Sequence, residues 1–422
     1  MKFKKIDGPY GIPIYLEYIP DVRSVSMSWT MFVGSADDES VGMPGLYHWF
    51  EHIPFRGTTQ YPGGYRATKG ATTQHGGDVG AYTSMHATTY HAHVPADIWR
   101  EAFSTITDLM ARPLISDEAI SAERDIIVQE IAKKKSSLRS FVAYTLPEIV
   151  WQGHPYGHPV LGSEQSLRMM TPEMLRSAHA LQYDRSRCAL VISGTISETD
   201  VLSEMKKLAD RIPNHGLSVR TSATFHGPLP PWHAGKVTYL KTDYPSSAVL
   251  MLFPLPPQET LQQKFQRSVA DRMFDFGGLD SPMYRVLREE RNLVYTAEVI
   301  EHEVPGGGYW GIYAETQTKN VEAVIAAIKH LLNDPEILSE SRLRTVQMGL
   351  RGAFDMRPIS PAKHREYAVQ RLINTGVVYS DDEYLERVAA STIEDVRHVL
   401  RGGSIGDAHT IVFCGKSDVS LL

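Results

Sequence analysis

The sequence is poor in cysteine and contains no long apolar run. Cys188 and Cys414 are the only two thiols among 422 residues, and each lies in a short apolar stretch. This distribution is typical of reduced, buried cysteines and not of a disulfide framework. No stretch approaches the roughly 20 apolar residues that span a bilayer, and residues 1–9 lack the apolar core of a signal peptide. We therefore expect a cytoplasmic protein with no membrane partner.

The sequence also lacks an excess of basic residues. It has 43 Lys and Arg against 49 Asp and Glu, which gives a formal net charge of -6. Proteins that bind nucleic acid usually carry a basic patch, and no block of lysines and arginines provides one here. Hydrophobic residues make up 42% of the chain and charged residues 22%, so the composition is that of a globular protein long enough for two or more domains.

The pattern of regular elements breaks near the middle of the chain. Residues that interrupt helices and strands cluster there, as expected where two globular units are joined. They are Pro228, Pro230, Pro231 and Gly235. We therefore predict a first domain over residues 1–215, a linker over 216–235 and a second domain over 236–422.

The two predicted domains show the same order of patterns. Each opens with strand-like runs, continues through amphipathic helices and closes with an apolar strand and a glycine, at residues 188–194 and 409–415. Regular β-α-β alternation is missing, which argues against a doubly wound parallel sheet. The prediction is an α+β fold of two similar domains, each with an antiparallel or mixed sheet packed against helices. Two unrelated neighbouring domains are the alternative.

The most informative segment is residues 48–52, with the sequence HWFEH. On a helix, His48 and His52 are neighbours four positions apart, so they can share one metal ion while Glu51 projects beside them. This H-x-x-E-H pattern is the signature of one class of zinc hydrolase, in which the glutamate is the base. Five residues alone leave the metal site a hypothesis.

A catalytic zinc ion needs a third protein ligand, and a predicted helix over residues 116–135 offers two candidates. Glu123 and Glu130 interrupt the apolar face of this helix, where a buried carboxylate needs a cation or hydrogen bonds. One could bind the metal while the other holds a neighbouring ligand. Alternatively, both could reach solvent or pair with nearby cations. His91 and His93 share a face of a strand pattern, where partial burial accounts for them without a metal.

Several segments together resemble the M16 family of zinc peptidases, which includes pitrilysin, insulin-degrading enzyme and the mitochondrial processing peptidase. The resemblance covers nearly the whole chain. The segments that carry it are residues 45–58, 76–84, 123–130, 153–162 and 281–295. The chain is similar in length to the short bacterial members, in which two protomers of two α+β domains each close around a chamber.

The resemblance implies a set of active-site residues. The zinc ligands would be His48, His52 and Glu130. Glu51 would be the base, and Glu123 would support the site from behind the ligands. Zinc brings the pKa of a bound water close to neutrality, and a neighbouring carboxylate can accept its proton during attack on a peptide carbonyl.

The resemblance also implies an electrophilic pair in the second domain. Arg288 and Tyr295 match the family's R-x6-Y pattern, whose side chains hold the substrate carbonyl oxygen and stabilise the oxyanion. Without the family, Arg288 is simply a solvated helix residue and Tyr295 a strand aromatic. Because both parts of the site occur in one chain, we expect a homodimer, although a heterodimer with a related chain would also satisfy the resemblance.

Substrate binding is expected at a short strand rich in glycine. Gly77, Gly80, Ala81 and Tyr82 match the family's edge strand, which binds an extended peptide through main-chain hydrogen bonds. The expected substrates are therefore unstructured peptides. Gly80 replaces an Asn that is usual in the family, so one polar contact to substrate is lost. Pro54 is a second departure, and it predicts that the helix carrying the histidines kinks or ends there.

Three functions follow from these observations. The first is a zinc metalloendopeptidase that acts on unstructured peptides in a closed dimer. The second is a non-catalytic scaffold or the partner subunit of a heterodimeric peptidase. The third is a zinc-dependent module that sequesters peptides without cutting them.

Overall fold

The computed structural model describes residues 1–257, 260–402 and 409–416. These residues form two compact units. The first unit comprises Met1–Lys134, Thr145–His226 and Pro358–Ser380. The second comprises the described residues of Lys135–Tyr144, Gly227–Arg357 and Asp381–Leu422. The change of unit after His226 falls inside the predicted linker, but the chain also changes unit at 135–144 and 358–380, which a single linker at 216–235 does not describe.

The first unit is built on a mixed sheet in which the described residues contribute six strands. The strands are β1 (Lys4–Asp7), β2 (Pro13–Tyr18), β3 (Ser24–Met31), β4 (Asp78–Thr83), β5 (Thr88–Pro95) and β6 (Cys188–Gly194). Their order across the sheet is β1-β2-β6-β3-β5-β4. Only the β2 and β6 pair is parallel among these strands. Every residue of β6 is buried, because it lies at the centre of the sheet.

The sheet of the second unit repeats this arrangement. Its described strands are β7 (Val237–Lys241), β8 (Ser247–Leu255), β9 (Val294–Val304), β10 (Gly307–Thr316) and β11 (Thr410–Gly415). The order is β7-β11-β8-β10-β9, and the β7 and β11 pair is the parallel one. In both sheets the last strand in sequence lies between two early strands: β6 pairs with β2 and β3, and β11 pairs with β7 and β8. The predicted α+β fold of two similar domains is therefore confirmed.

Eight α-helices of the described residues lie wholly within the first unit, and one crosses between units. Those in the first unit are α1 (Trp49–His52), α2 (Gly64–Thr73), α3 (Trp99–Ala111), α4 (Asp117–Lys134), α6 (Glu164–Met169), α7 (Pro172–Gln182), α8 (Glu198–Leu208) and α13 (Pro361–Thr375). The crossing helix is α5 (Leu138–Val150). The helix predicted over residues 116–135 is thus observed as α4.

The second unit packs its own helices against the second sheet. They are α9 (Leu261–Asp275), α10 (Pro282–Tyr284), α11 (Val321–Leu332), α12 (Glu340–Asp355), α14 (Asp381–Ala390) and α15 (Ile393–Gly402). A π-helical turn, Arg285–Glu290, follows α10. The core of this unit includes Trp310, whose ring centroid lies 5.5 Å from that of Phe253 and 5.6 Å from that of Phe274.

Helices cover both faces of the first sheet. On one face, Trp29 of β3 stacks on Phe103 of α3, with ring centroids 6.0 Å apart. On the other face, Ala368 and Leu372 of α13 pack into a cluster with Val191 of β6. Helix α13 begins with an N-cap serine followed by proline and ends at a glycine with φ +74°, so both ends carry typical helix-terminating residues.

Both cysteines are buried and free, as their apolar surroundings predict. Within the described ranges, no helix combines the length and apolar composition that crossing a bilayer requires.

Candidate metal centre

The candidate site begins at a short helix that proline terminates. His48 is the N-cap of α1 and already has helical dihedral angles, φ -65° and ψ -28°. Helix α1 ends at His52, and a 3₁₀ helix, Ile53–Arg56, follows it. Pro54 lacks an N–H donor, so the α-helical hydrogen bond to the carbonyl of Phe50 cannot form, although Ile53 before it keeps helical dihedral angles, φ -54° and ψ -41°. The prediction that the helix kinks or ends at Pro54 is confirmed.

Three side chains from α1 and α4 bring possible metal ligands together. One donor atom from each of His48, His52 and Glu130 lies within 4.8 Å of the others. Oε2 of Glu130 is 3.6 Å from Nε2 of His48 and 3.5 Å from Nε2 of His52. The ring centroids of the two histidines are 4.9 Å apart. The four-residue spacing places both imidazoles on one side of the turn, and α4 supplies the carboxylate.

The chemistry and spacing of these donors fit a zinc ion. Ligand atoms of a tetrahedral zinc with bonds near 2.0–2.1 Å lie about 3.3–3.4 Å apart, close to the separations from Glu130 to the two histidines. Nε2 of His52 is buried and has no hydrogen-bond partner among the described residues, so its lone pair is available to a metal. Two imidazoles and one carboxylate leave one vertex open, which is the arrangement of catalytic zinc sites.

Glu123 holds His52 from the side away from Glu130. The Glu123 side chain is fully buried, and its Oε2 lies 3.0 Å from Nδ1 of His52. Arg56 forms a hydrogen-bonded ion pair with the same carboxylate, and the Tyr65 hydroxyl donates to it at 3.3 Å. Burial acts to raise the pKa of Glu123, but the hydrogen bonds from His52 and Arg56 outweigh it and lower that pKa. A charged Glu123 that accepts from Nδ1 orients Nε2 of His52 towards the ligand cluster.

The electrostatics of the cluster favour a cation. Burial lowers the pKa of His48 to about 3, so its imidazole is neutral. Burial also acts to lower the pKa of His52, but the hydrogen bond to Glu123 and the nearby carboxylate of Glu130 raise it to about 9. The two carboxylates therefore attract positive charge to Nε2 of His52, where a proton and a metal ion compete for one lone pair.

Glu51 lies beside this cluster and also contacts the sheet. Its Oε2 is 3.4 Å from Nε2 of His48 and accepts a hydrogen bond of 2.9 Å from the backbone N–H of Thr83. Burial is the main cause that raises the pKa of Glu51, to about 7, and the charge of Glu130 raises it further. A carboxylate with a pKa near neutrality, held next to two imidazoles, is suited to accept and return a proton.

The hydrogen bond from Thr83 also shows which backbone groups of β4 are open. No strand of the described residues pairs with β4 on the side away from β5. The N–H of Thr83 points to Glu51 and away from β5. In an antiparallel strand the backbone groups of every second residue point to the same side. Those of Val79 and Ala81 therefore also point to the open side of β4. The open edge of β4 thus leads to Glu51.

The other residues predicted to bind substrate have different environments. The N–H of Gly77 donates to the carbonyl of Thr72 at 3.0 Å. The backbone of Gly80 and Tyr82 faces β5 by the same alternation, and the Tyr82 ring packs towards the cluster under α13. Among the four predicted positions, only Ala81 has backbone groups on the open edge. Val79, which the sequence did not single out, shares that edge.

Arg288 and Tyr295 belong to the second unit and contact one another. Nη1 of Arg288 donates to the carbonyl oxygen of Tyr295 at 3.2 Å, and the guanidinium lies 5.5 Å from the centroid of the Tyr295 ring. Arg288 is exposed, and Tyr295 retains 76% of its accessible surface. Their side chains are therefore available to a ligand, while the residues of the metal cluster lie in the first unit.

The sequence pattern did not indicate two residues that support the candidate metal site. Arg56 follows His52 by four positions, a spacing that could have identified it as a neighbour. Asp38 gave no such signal. It is fully buried, and its two oxygens accept the backbone N–H groups of Gly45 and Tyr47 at 2.6 and 3.0 Å. These bonds hold the turn that leads directly into His48.

A duplicated α+β fold with two histidines and a glutamate grouped near a second glutamate defines a candidate metallohydrolase. Comparison with known families agrees with this class. Residues 14–164 match the family model described as Insulinase (Peptidase family M16), and residues 170–334 match Peptidase M16 inactive domain. The chain belongs to peptidase family M16.

Individual relatives cover almost the whole chain. An "Uncharacterized zinc protease" of Rickettsia felis is 23% identical over 390 residues, which are 92% of this chain and 91% of that protein. The mitochondrial-processing peptidase subunit beta of Saccharomyces cerevisiae is 22% identical over 404 residues, 92% of this chain and 86% of that protein. The crystal structure titled peptidase M16 inactive domain from Pseudomonas fluorescens has a TM-score of 0.87 at 14% identity and covers 99% of both chains. At this identity the structural match shows the fold alone.

Proposed function

We propose that this chain is a zinc-dependent endopeptidase that hydrolyses unstructured peptides. The observation that carries the proposal is the grouping of His48, His52 and Glu130 within 4.8 Å, with Glu51 beside them. Relatives named zinc proteases support zinc as the metal. The three residues would hold the ion, and Glu123 would fix the orientation of His52.

Bound zinc supplies Lewis acidity, which polarises a peptide carbonyl and makes water a stronger acid. The protein's own residues would move the protons. Glu51 would accept the proton of the attacking water and return it to the departing amine, since its carboxylate lies next to the ligand cluster. The bond from Thr83 would hold the Glu51 carboxylate in place for both transfers.

The open edge of β4 supports binding of extended peptides. A peptide strand could pair with the backbone groups of Val79 and Ala81 and would then run towards Glu51 at Thr83. Main-chain pairing selects for unfolded segments and reads little side-chain identity. This assignment replaces Gly80 and Tyr82 as backbone partners of the peptide, because their groups face β5.

Arg288 and Tyr295 are proposed as donors to the substrate carbonyl oxygen. Residues 281–295 resemble the corresponding family segment, and both side chains are exposed enough to bind an oxyanion. Because one chain contains this pair and the metal cluster, two identical copies suffice, and we propose a homodimer that encloses a chamber. A heterodimer with a related chain is the alternative assembly.

A non-catalytic role is the second candidate. The family model that matches residues 170–334 is described as an inactive domain, and the Pseudomonas fluorescens structure has the same title. A scaffold or the partner subunit of a heterodimeric peptidase would need no turnover of its own. The peptide-sequestering module would bind zinc and peptide without producing fragments.

Peptide hydrolysis separates these candidates. The purified protein is loaded with zinc and incubated with a mixed pool of flexible peptides, with and without a chelator, and the products are identified by mass spectrometry. The proposal expects fragments that disappear with chelator and return with added zinc. Intact peptides at stoichiometric bound zinc would contradict it and favour a binding role.

The variant Glu51→Gln tests the assignment of the base. It removes a proton acceptor but no proposed zinc ligand, so zinc content should stay at the wild-type value while kcat falls by about 10²–10⁴-fold. Glu101→Gln is a matched control, because Glu101 is an exposed acid on α3. Full turnover by Glu51→Gln, with zinc bound, would exclude the proposed role.

A further inference from the structure

Polar atoms without protein partners gather on the face of the first sheet that α13 covers. The atoms are Oγ of Ser28, Oη of Tyr82, Nδ1 of His91 and Nη1 of Arg365, and each is buried without a hydrogen-bond partner among the described residues. Buried polar atoms in native proteins nearly always have partners, so four in one place need an explanation. We call these four residues the Arg365 cluster.

The members of the Arg365 cluster are neighbours across three strands and one helix. Ser28 of β3 is the direct cross-strand partner of His91 of β5, and the rings of His91 and Tyr82 have centroids 6.0 Å apart. Nε of Arg365 donates at 3.1 Å to Oγ of Ser26, two residues before Ser28 and on the same face of β3. Burial lowers the pKa of His91, and the charge of Arg365 acts in the same direction.

The cluster contains a buried positive charge that no carboxylate neutralises by direct contact. Arg365 is 6% exposed, and it forms no ion pair with a carboxylate of the described residues. The carboxylate of the adjacent Glu366 instead pairs with Lys363, with Nζ and Oε2 2.9 Å apart. Asp78 approaches only the Nε2 atom of His91, at 3.7 Å, and its side chain is 75% exposed.

A buried guanidinium without a counter-charge is strongly unfavourable. The other cluster atoms can all donate hydrogen bonds: two are hydroxyls, and the third is an imidazole nitrogen whose proton position depends on the tautomer. A buried cation surrounded by donors is the chemical environment of an anion. The four atoms have almost no accessible surface, which favours the smallest anions over a phosphate or a peptide carboxylate.

We propose that the Arg365 cluster binds a small monovalent anion of the size of chloride. The anion would neutralise the guanidinium and accept hydrogen bonds from the hydroxyls of Ser28 and Tyr82. Because the cluster joins α13 to β3, β4 and β5, occupancy would tie the edge strand β4 to the rest of the first unit. This site does not depend on the proposed peptidase activity.

Thermal unfolding of the full chain tests the proposal without an activity assay. Unfolding is followed in sodium chloride and in sodium gluconate of equal ionic strength and pH, since gluconate is too large for the site. An anion that binds only the folded state raises the midpoint, and we expect a rise of about 2–4 °C in chloride. Equal midpoints in the two salts would overturn the proposal.

Arg365→Met identifies the binding residue. This variant should unfold at the same temperature in both salts, and in gluconate it should be at least as stable as the wild type because it removes a buried charge. Lys363→Met is the control, since Lys363 is an exposed cation on the same helix, and it should keep the chloride dependence. A chloride effect that survives in Arg365→Met would exclude this site.

Crystals of the wild-type protein soaked in bromide provide a direct measurement that does not need a folded variant. An anomalous peak within hydrogen-bonding distance of Nη1 of Arg365 is the expected result. A diffraction map with bromide at other sites but none at the Arg365 cluster would overturn the proposal.

Discussion

The imidazole of His91 occupies the space into which a side chain at position 80 would project. The two residues are direct partners across β4 and β5, and a Cβ atom built on Gly80 would lie 2.8 Å from Cε1 and 2.9 Å from Nε2 of His91. Glycine is therefore required at position 80 as long as His91 keeps this position. The departure from the family's usual asparagine has a local steric explanation.

Substitution at these two positions should be strongly coupled. Gly80→Asn alone is expected to lower the free energy of unfolding by about 1–3 kcal/mol, because the new side chain overlaps the His91 ring. His91→Ala removes the obstacle, so the double variant should recover most of that loss in urea unfolding. Gly70→Asn is the control, since its nearest neighbour, Cγ of Arg66, is 4.0 Å away. If the double variant lost as much free energy of unfolding as the two single variants together, the steric explanation would be contradicted.

Glu123 should control zinc affinity without being a ligand. Glu123→Gln keeps the shape of the side chain but removes its negative charge. That charge holds Nδ1 of His52 and the guanidinium of Arg56 in place. Loss of such a supporting carboxylate is expected to weaken zinc binding by about 10–100-fold. Competition titration against a chromophoric chelator measures the change, and Asp125→Asn, an exposed acid on the same helix, should leave affinity unaltered. Wild-type affinity in Glu123→Gln would show that His52 needs no such support.

Glu17 should stabilise the first unit near neutral pH and lose this effect at acidic pH. Its Oε2 lies 2.9 Å from Nδ1 of His364 and accepts a hydrogen bond of 2.8 Å from Oγ of Ser193. Burial acts to raise the pKa of Glu17, but these hydrogen bonds lower it below the ordinary value of 4.5. A group with a lower pKa in the folded state contributes stability above its unfolded pKa and loses it as the pH falls through the folded pKa.

The comparison of wild type with Glu17→Gln tests this pH dependence. The difference in the free energy of unfolding should be largest near pH 7 and should shrink steadily below pH 4.5, as followed by urea unfolding from pH 3 to 7. The exposed control Glu101→Gln should show no such trend. A difference that grows as the pH falls would have the wrong sign and would exclude a charged Glu17 in the folded protein.

The two cysteines should report unfolding of the two units separately. Cys188 lies in β6 of the first unit and Cys414 in β11 of the second, and burial raises the pKa of both thiols, that of Cys414 to about 12. In the variants Cys188→Ala and Cys414→Ala, the remaining thiol should react with a thiol reagent only as fast as its unit opens. Rapid labelling of either thiol in the native protein at neutral pH would contradict the burial.

Local spacing made part of the candidate site predictable. His48, Glu51 and His52 fall within one helical turn, where side chains three and four positions apart are neighbours. The α4 carboxylates were recognisable because acids on an apolar helix face need a partner. Most of the partners were not predictable: Thr83 and Asp38 reach the site through hydrogen bonds that the sequence pattern does not encode, and only Arg56 has a spacing that could have indicated it.

The sequence by itself determined the α+β class, the two similar halves and the grouping of His48, Glu51 and His52, because these depend on periodicity and on neighbours along the chain. Only the tertiary structure decided that Glu130 approaches both histidines, that residues 358–380 pack in the first unit and that Arg365 lies buried beneath the sheet. These features arise from contacts between segments far apart in sequence, whose pairing is set by packing of the whole unit and not by any local preference.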